Sequence, residues 1–386
     1  MADRPIYLDY NATTPIDRAV ADAMLPYLYE CFGNPSSSHM YGHEAHEAVE
    51  NARRQVAELI GCQPNEVIFT SGGTEANNMV LKGVAEAYSA RGEHVITSAI
   101  EHPAVLEPCD FLAHHGCRIT ILPVDEYGRV DPSDVERAIT PRTILVTVML
   151  ANNEVGTLEP VAEIARIAHQ YGVLVHTDAA QAVGKIPVNV TELDVDFLTG
   201  AGHKLYAPKG VGFLYQRAGV QLPKFMHGAG QESGRRAGTE NVLEIVGLGK
   251  ACEIAGRGLT ASMSHMKAMC DRLYAFLMRE VDDIRLNGHP TERLPNTLSV
   301  GFRGVQVSTL LARLDGRVAA SAGAACHSDR VSISAVLQAM KVPYEYALGT
   351  VRLSVGKMTT ESEIDIAAGE IAAAVRELRR ESDTPC

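Results

Sequence analysis

The segment TGAGHKLYAPKG, from Thr199 to Gly210, surrounds one lysine with residues that restrict its position. Lys204 directly follows a histidine and has three glycines and a proline close to it in the sequence. A desolvated lysine has a lowered pKa and can form a Schiff base with an aldehyde. Because a lone lysine in a loop is normally a solvated charge, a chemical role for Lys204 needs support from other residues.

Two earlier segments supply groups that would complement such a lysine. TSGGTEANN, from Thr70 to Asn78, follows a predicted strand, so its glycines, the Thr74 hydroxyl and the first helical amides could hold a phosphate. A plain strand-to-helix turn is the alternative interpretation. Asp178 ends an apolar strand, where its carboxylate would need a partner such as a protonated pyridine nitrogen, unless it serves as a helix N-cap. The order of phosphate loop, aspartate and framed lysine favours the chemical interpretation.

The segments around these residues alternate between strand and helix patterns. The predicted strands are EVIFT, HVITSA, RITILPV, TILVTVML and VLVHTD, and the predicted helices between them are TEANNMVLKGVAEAYSA, AVLEPCDFLAHH, DPSDVERAI and VAEIARIAHQYG. This alternation predicts a mostly parallel sheet covered by helices on both faces. Ligands of such folds bind at the carboxyl ends of strands, where SGGTE, EHP, NNE and HTDAAQ all begin. The sequence therefore predicts one shared site.

The length of the chain, 386 residues, exceeds what one hydrophobic core usually holds, so two domains are expected. After about residue 255 the pattern changes. A long polar helix (SMSHMKAMCDRLYAFLMREV) is followed by the segments RLPNTLSVGF and RVAASAGAAC and by a final amphipathic helix (ESEIDIAAGEIAAAVRELRR). We predict a large domain over residues 14–256 and a smaller α+β domain formed by residues 1–13 and 257–386.

Composition excludes several classes of partner. Hydrophobic residues make up 46% and charged residues 21%, as in ordinary globular proteins. The net charge of −12 argues against nucleic acid or an anionic membrane as the main partner. The first residues do not resemble a secretory signal, and the apolar run TILVTVMLA is too short to cross a bilayer. These features predict a cytoplasmic protein.

The chain has 14 histidines and eight cysteines, but their spacing does not match a common metal-binding motif. The cysteines form no CxxC pair, and the histidines of HEAHE, His43 and His46, are three residues apart instead of the four of the HExxH motif. We therefore predict no metal site. A metal-binding scaffold remains the non-enzyme alternative, and it would be colourless without added metal.

The ordered motifs together resemble the class V, fold-type-I pyridoxal phosphate enzymes of the cysteine desulfurase and selenocysteine lyase family. The resemblance extends over essentially the whole chain. The motifs are YLDYNATTP, GNPSS, TSGGTEANN, EHPAVL, ANNEVGTLEP, HTDAAQAVGK, GHKLYAPKGVGFLY, GAGQESGRRAGTEN, RLPNTLS, GAACHSD and VRLSVG. The resemblance implies an α/β, aminotransferase-like fold whose large domain has a mostly parallel seven-stranded sheet, and pyridoxal 5'-phosphate as the cofactor.

The resemblance also implies roles for individual residues around the cofactor. Lys204 would form the Schiff base and remove the substrate Cα proton, and His102 would stack on the ring and move protons. Asp178 would pair with the pyridine nitrogen, and Gln181 would bond the phenolic oxygen. The phosphate contacts would be Gly73, Thr74, His203 and, from a second subunit, Thr239. This last contact implies a homodimer.

Three further residues would bind the substrate, according to the same resemblance. Asn153 and Arg352 would hold its carboxylate, a task that suits the planar fork of arginine, and Asn11 would line the substrate pocket. The sequence departs from many desulfurases at Ala201, where they have a serine that contacts the phosphate. Selenocysteine lyases also tend to lack this serine.

Cys326, in SAGAACHSD, matches the catalytic cysteine of the family, and His327 could lower the pKa of its thiol. The resemblance predicts that Cys326 lies on a long loop and accepts the sulfur of L-cysteine as a persulfide, leaving alanine, before an acceptor protein takes it. Cysteine desulfurase is the favoured function. Selenocysteine lyase, which splits L-selenocysteine to alanine and selenide, is the alternative, because CHSD resembles the form found in those enzymes. The acceptor could belong to iron–sulfur assembly, tRNA thiolation or DNA sulfur modification.

Overall fold

The computed structural model describes residues 4–322 and 333–383, with side chains as far as residue 381. Its largest sheet has seven strands. They are β2 (Val67–Thr70), β3 (His94–Ser98), β4 (Arg118–Leu122), β5 (Thr143–Thr147), β6 (Leu174–Asp178), β7 (Phe197–Ala201) and β8 (Gly212–Gln216). The five strands predicted from the sequence are confirmed as β2 to β6.

The strand order across this sheet is β2-β8-β7-β6-β5-β3-β4. Strands β3 to β7 run parallel, whereas β8 is antiparallel to both β2 and β7. Every residue of β3, β5 and β7 is buried, as expected for strands covered on both faces. The mostly parallel α/β sheet predicted from the sequence is confirmed.

Helices cover the sheet and follow the strands along the chain. They are α1 (Arg18–Met24), α2 (Pro26–Tyr29), α3 (Met40–Ile60), α4 (Gly73–Ala87), α5 (Pro103–His114), α6 (Pro132–Ala138), α7 (Val161–Gln170), α8 (Val190–Leu193) and α9 (Val242–Glu280). The predicted cap of α6 is present, because Asp131 accepts a hydrogen bond from the Ser133 amide at 2.8 Å.

A second, antiparallel sheet has the order β12-β10-β9, built from β9 (Ile284–Asn287), β10 (Thr297–Phe302) and β12 (Thr350–Ser354). The N-terminal strand β1 (Ile6–Tyr7) pairs in parallel with β11 (Val318–Ala319). The helices of this part are α10 (Val307–Leu314), α11 (Ala335–Ala339), α12 (Tyr344–Ala347) and α13 (Glu361–Asp383). The N-terminus and the C-terminal third of the chain thus share one unit.

Helix α9 connects the two units and crosses residue 256. Its first half packs into the core under the large sheet through residues such as Leu248 and Cys252. Its second half packs against the second sheet through residues such as Leu273 and Leu277. The domain boundary at residue 256 stays a prediction. None of the helices that the structure describes is both long and apolar enough to pass through a bilayer.

Candidate functional site

The carboxyl ends of β2, β3, β5 and β6 open onto a cavity of about 640 Å³ between the two units. Nearly all of the site residues predicted from the sequence line this cavity. They are Asn11, Gly73, Thr74, His102, Asn153, Asp178, Gln181, His203, Lys204 and Arg352. The prediction that the motifs at the strand ends converge is confirmed, although their chemical roles stay predictions.

The N-terminus of α4 faces the cavity through Gly73 and Thr74. The preceding N-cap residue, Gly72, has φ +149° and ψ −178°, a conformation that is essentially limited to glycine. A Cβ on Gly73 would make only ordinary contacts, 3.5 Å from Thr199 Cγ2 and 3.6 Å from Ala201 Cβ. A Cβ on Gly72 would meet no heavy atom within 4 Å, so there is open space at the N-terminus of this 15-residue helix. The free amides of the first turn make it a suitable place for an anion.

Asp178 lies at the end of β6 with 8% of its surface exposed. One carboxylate oxygen accepts a 2.8 Å hydrogen bond from Asn77 Nδ2, and the other accepts a 2.9 Å bond from the Ala180 amide. Both donors hold the carboxylate in one orientation. Each oxygen keeps a lone pair for a further donor, so Asp178 can pair with a cationic ring nitrogen.

Lys204 follows β7 in a single helical turn formed by Gly202–Lys204. Its Nζ donates hydrogen bonds to the main-chain oxygens of Asn11 at 2.6 Å and Ala12 at 2.9 Å. Burial, reinforced by the positive charge of Arg352, lowers the pKa of Lys204 to about 8. About a fifth of this amine is therefore neutral, and nucleophilic, near pH 7.4, which is far more than for an exposed lysine.

His102 is the N-cap of α5, and its Nδ1 accepts a 3.0 Å hydrogen bond from the Ala104 amide. Loss of water around the ring lowers the pKa of His102, an effect that the nearby Asp178 carboxylate partly opposes. Because Nδ1 acts as the acceptor, the proton of the neutral ring lies on Nε2. His102 can therefore donate or accept a proton in the cavity through Nε2 alone.

The neighbouring Glu101 is buried and also lines the cavity. Its Oε1 accepts bonds from Ser98 Oγ at 2.6 Å and from the Met149 amide at 2.9 Å. Burial raises the pKa of Glu101 to about 8. A carboxyl group that is protonated at neutral pH therefore lies beside His102.

His203 lies between Lys204 and the N-terminal segment. Its Nδ1 is 3.2 Å from Thr13 Oγ1, and its main-chain oxygen accepts bonds from the amide and hydroxyl of Thr14. Burial, with the positive charge of Lys204, lowers the pKa of His203 to about 4. The ring is consequently neutral in the physiological range and can give or accept one hydrogen bond.

Asn11 connects several of these groups and is 1% exposed. Its main-chain oxygen accepts from Lys204 Nζ and, at 3.0 Å, from Gln181 Nε2. Its side-chain amide donates to Thr297 Oγ1 at 2.8 Å and to the Asn153 main-chain oxygen at 3.2 Å. The Asn11 side chain therefore connects the N-terminal segment to Thr297 and Asn153, while its main-chain oxygen binds Lys204.

Arg352, on β12, reaches the same cavity from the second sheet. Its Nη2 donates to Asp9 Oδ1 at 2.8 Å, and its Nη1 donates to the main-chain oxygen of Asn153 at 3.0 Å. Its Nε is buried and has no hydrogen-bond partner among the described residues. A guanidinium held by Asp9 at one side, with an unused donor, is suited to bind a carboxylate.

The cavity fits pyridoxal phosphate in its donors and acceptors. A phosphate matches the α4 amides, a pyridine nitrogen matches Asp178, and an aldehyde matches Lys204. In addition, Asn77 Oδ1, Glu101 Oε2 and Arg352 Nε are buried polar atoms that lack partners in the described part of the chain. Unsatisfied buried polar atoms around one cavity indicate a polar ligand.

Two predicted site residues do not take part in this geometry. Thr239 lies on the exposed segment before α9 and does not line the cavity. Cys326, with His327, lies outside the described residues. The described residues on either side of this gap reach the site. Ser321 forms a β-bridge with Arg352, and Ser334 Oγ donates a hydrogen bond to the cavity residue Glu154.

The sequence analysis missed Asn77, Glu101, Asp9 and Lys185 as parts of the site. Asn77 is one helical turn after Gly73, so helical spacing could have placed it beside the phosphate segment. Lys185 is one turn after Gln181 and bonds its side chain. No local pattern marks Asp9, because its partner Arg352 comes from a distant segment. Glu101 has one local partner, Ser98, but its bond with Met149 joins distant segments.

Comparisons with known proteins agree with this geometry. Residues 6–366 match the family model described as aminotransferase class-V. A cysteine desulfurase IscS from Dictyoglomus turgidum is 46% identical over 377 residues, covering 97% of this chain and 96% of the relative. A solved structure titled NifS-like protein superimposes with a TM-score of 0.91 at 39% identity, covering 97% of this chain and all of the other.

A third similar protein is a solved structure titled SspA in complex with cysteine. It has a TM-score of 0.81 and 34% identity, and it covers 92% of this chain and 99% of the other. The matches extend over both units and include every strand of the large sheet. The chain therefore belongs to the class-V aminotransferase family, among its NifS-like and IscS-like members.

Proposed function

We propose that this protein is a cysteine desulfurase that uses pyridoxal 5'-phosphate to convert L-cysteine to L-alanine. The sulfur first bonds to Cys326 and is then passed to an acceptor protein. The observation that carries the proposal is one cavity in which Lys204, whose pKa is about 8, lies with Asp178 and Arg352. Relatives of nearly the same length carry the name cysteine desulfurase, which supports this function.

The cofactor would be held by residues that line the cavity from several sides. Lys204 would bond the aldehyde, Asp178 the ring nitrogen and Gln181 the phenolic oxygen. The phosphate would be held by the α4 amides at Gly73 and Thr74, with His203. When bound, the cofactor supplies an aldehyde that takes the substrate amine and a ring that accepts electrons from Cα.

Lys204 is well prepared to accept the Cα proton. Its pKa of about 8 gives a neutral fraction at physiological pH well above that of an exposed lysine, and the oxygens of Asn11 and Ala12 orient the amine. A base whose pKa is near the working pH transfers protons efficiently in both directions. The neutral His102 ring, which carries its proton on Nε2, offers a second donor at the same cavity.

The substrate carboxylate would bind Arg352. The ion pair with Asp9 holds the guanidinium in place, and the side-chain amide of Asn153 lines the cavity beside it. Binding at this point orients the amino acid with its amine and side chain directed into the rest of the cavity. The unused Nε of Arg352 would then gain a partner.

Cys326 would take the sulfur atom from the substrate in one displacement step. The Cys326 thiolate attacks the sulfur of the substrate, so a sulfur–sulfur bond forms while the Cβ–S bond of the substrate breaks. The electron pair of that bond stays with the carbon fragment, which takes up protons and leaves as alanine. Only the thiolate is a competent nucleophile. Cys326 then carries the extra sulfur as a persulfide.

A homodimer is part of this proposal, with Thr239 contributing to the phosphate site of the partner subunit. Thr239 is exposed, and its segment is fixed to the chain by two ion pairs, Arg236 with Glu75 and Glu232 with Arg53. Glu75 lies next to the phosphate residue Thr74. The two ion pairs fix the segment that carries Thr239 relative to α4. Thr239 is therefore an exposed residue with a defined position, which a partner subunit could contact.

Selenocysteine lyase is the second candidate, because Ala201 and the CHSD segment match the pattern of those enzymes. A selenol is already ionised at neutral pH and needs less help from Cys326. The test compares Cys326→Ala with Cys31→Ala, a control at another cysteine outside the cavity, each on L-cysteine and on L-selenocysteine. Activity on cysteine that only Cys326→Ala abolishes supports the proposal, with a persulfide found by mass spectrometry on Cys326. Activity limited to selenocysteine, or sulfur release that survives Cys326→Ala, contradicts it.

A further inference from the structure

A second lysine, Lys185, is buried in the cavity wall behind Gln181. It is 4% exposed, and its Nζ donates hydrogen bonds to Gln181 Oε1 at 2.7 Å and to Asn11 Oδ1 at 3.2 Å. Gln181 and Lys185 are four residues apart on the tight turns that follow β6. The family resemblance gives this lysine no role, and a buried lysine is costly unless its hydrogen bonds are satisfied.

The hydrogen-bond partners of Lys185 are neutral amides. No carboxylate within the described ranges forms an ion pair with it. Burial, together with the positive charges of Lys204 and Arg352, lowers the pKa of Lys185 well below its usual value. These conditions favour the uncharged amine, which has two hydrogens and two acceptors to receive them.

The orientation of Asn11 is set independently of Lys185. Its Nδ2 donates to Thr297 Oγ1 and to the Asn153 main-chain oxygen, so its Oδ1 faces the opposite direction. There Oδ1 accepts from Asn296 Nδ2 at 2.9 Å and from Lys185. Lys185 therefore approaches a fixed acceptor and must act as the donor.

The same lysine fixes the orientation of Gln181. A side-chain amide can turn its oxygen and nitrogen ends around, and only its partners decide between the two. Lys185 holds Oε1, so Nε2 points to the main-chain oxygen of Asn11, the atom that also accepts from Lys204. Asn11 uses one of the two Nε2 hydrogens, which leaves the second as a donor at the cavity.

We propose that Lys185 is a positioning residue that locks the Gln181 amide with its NH₂ group toward the cofactor. Without this lysine, only the main-chain oxygen of Asn11 would orient the Gln181 amide. The turned amide, which presents its oxygen to the phenolic oxygen and repels it, would then be less strongly disfavoured. The inference rests on the proposed function, because it needs pyridoxal phosphate in the cavity. Lys185 acts here through hydrogen bonds, and the charged groups that influence it are Lys204 and Arg352.

A double-mutant cycle between Lys185 and Gln181 tests this coupling. The variants are Lys185→Met, Gln181→Ala and the double variant, and exposed Lys267→Met on α9 is the control for loss of a lysine. Methionine has a similar length and no donor, and it suits a buried position. The readouts are the dissociation constant of pyridoxal phosphate from the apoprotein, measured by absorbance, and the pH dependence of the visible spectrum of the holoenzyme.

We expect Lys185→Met to weaken cofactor binding about tenfold and to shift the pH at which the spectrum changes, in keeping with one lost hydrogen bond of this kind. In the Gln181→Ala background, Lys185→Met should have little further effect, because the two residues act as one unit. Lys267→Met should match the unmodified protein. Thermal unfolding of each variant identifies loss of the fold, and Lys185→Leu, which also lacks a donor, replaces the methionine variant if that variant does not fold.

The outcomes separate this inference from the proposed function. If the unmodified protein does not bind pyridoxal phosphate, the proposed function fails. If it binds but Lys185→Met binds equally well and keeps the same spectrum, the positioning role is wrong. Full additivity of Lys185→Met and Gln181→Ala also overturns the inference, because it would mean that Lys185 acts independently of the glutamine.

Discussion

Asn77 and Asp178 are joined by a 2.8 Å hydrogen bond from the amide Nδ2 to the carboxylate Oδ2. The two residues are 101 positions apart, Asn77 on helix α4 and Asp178 at the end of β6, and both line the cavity. Asn77 is fully buried, and its Oδ1 has no partner among the described residues. The bond fixes the carboxylate that is proposed to hold the cofactor ring nitrogen.

Replacing Asn77 by Asp should weaken binding of pyridoxal phosphate by at least about tenfold. A donor to Asp178 is replaced by a second carboxylate, so the two groups repel and one of them takes up a proton. Asn51→Asp is the control, because it makes the same charge change at an exposed position on α3, outside the cavity. Equal losses of affinity in the two variants would contradict the role of Asn77.

Lys204→Met should change how the stability of the apoprotein depends on pH. The folded pKa of about 8 lies below the value of 10.5 expected for an exposed lysine, so between these values the unfolded chain binds more protons. Lys204 therefore costs stability below about pH 8, and this cost disappears as the pH rises to 10.5. Methionine has no such cost.

We expect the free energy of unfolding of Lys204→Met, relative to the unmodified apoprotein, to fall by about 1–3 kcal/mol between pH 7 and pH 10.5. Urea titrations at the two pH values measure this difference. The exposed Lys209→Met serves as the control and should show no such change. A relative stability that does not vary with pH would show that the pKa of Lys204 is not lowered.

Replacing Glu101 by Gln should change the pH dependence of the free energy of unfolding in the opposite direction. The Glu101 carboxyl has a folded pKa of about 8 against 4.5 in an exposed position, so the folded chain binds more protons between these values. Glu101 is therefore increasingly unfavourable as the pH rises from 4.5 to 8. Relative to the unmodified protein, Glu101→Gln should gain about 2–4 kcal/mol of stability from pH 5 to pH 8. Urea titrations at the two pH values measure this gain, and exposed Glu107→Gln is the control. A difference in unfolding free energy between Glu101→Gln and the unmodified protein that does not vary with pH, as expected for the control, would contradict the prediction.

Arg352→Lys should raise KM for L-cysteine by about tenfold to a hundredfold, with a much smaller effect on kcat. Lysine keeps the charge but loses the planar fork that can bind Asp9 and a carboxylate together. Steady-state kinetics separate the two constants, and exposed Arg303→Lys is the control. A large fall in kcat with unchanged KM would place Arg352 in the chemical steps instead of in substrate binding.

The positions of Asp178 and Lys204 followed from the sequence because parallel strands place their carboxyl ends at one edge. Buried apolar strands alternate with helices from β2 to β6, which fixes the edge at which Gly73, His102 and Asp178 meet. The motifs could be placed without knowing any long-range contact. Their convergence therefore needed only the local pattern and the fold class.

The partners that orient these groups could not be read in the same way. The Asn77 bond, the contact of Lys204 with Asn11 and the bonds of Lys185 join segments that are brought together only by packing. The same holds for the length of α9, whose several glycines lower its helix propensity. A Cβ on Gly249 would lie 2.5 Å from Ala52 Cα, so the close approach of α3 and α9 explains at least this glycine.

The most direct test of the account is to find which lysine bonds the cofactor. Borohydride reduction of the holoenzyme, followed by proteolysis and mass spectrometry, locates the pyridoxyl group on one peptide. We expect a single modified residue, Lys204, and loss of the modification in Lys204→Met. A pyridoxyl group on Lys185, the other buried lysine beside the cavity, or no modified lysine at all, would contradict it.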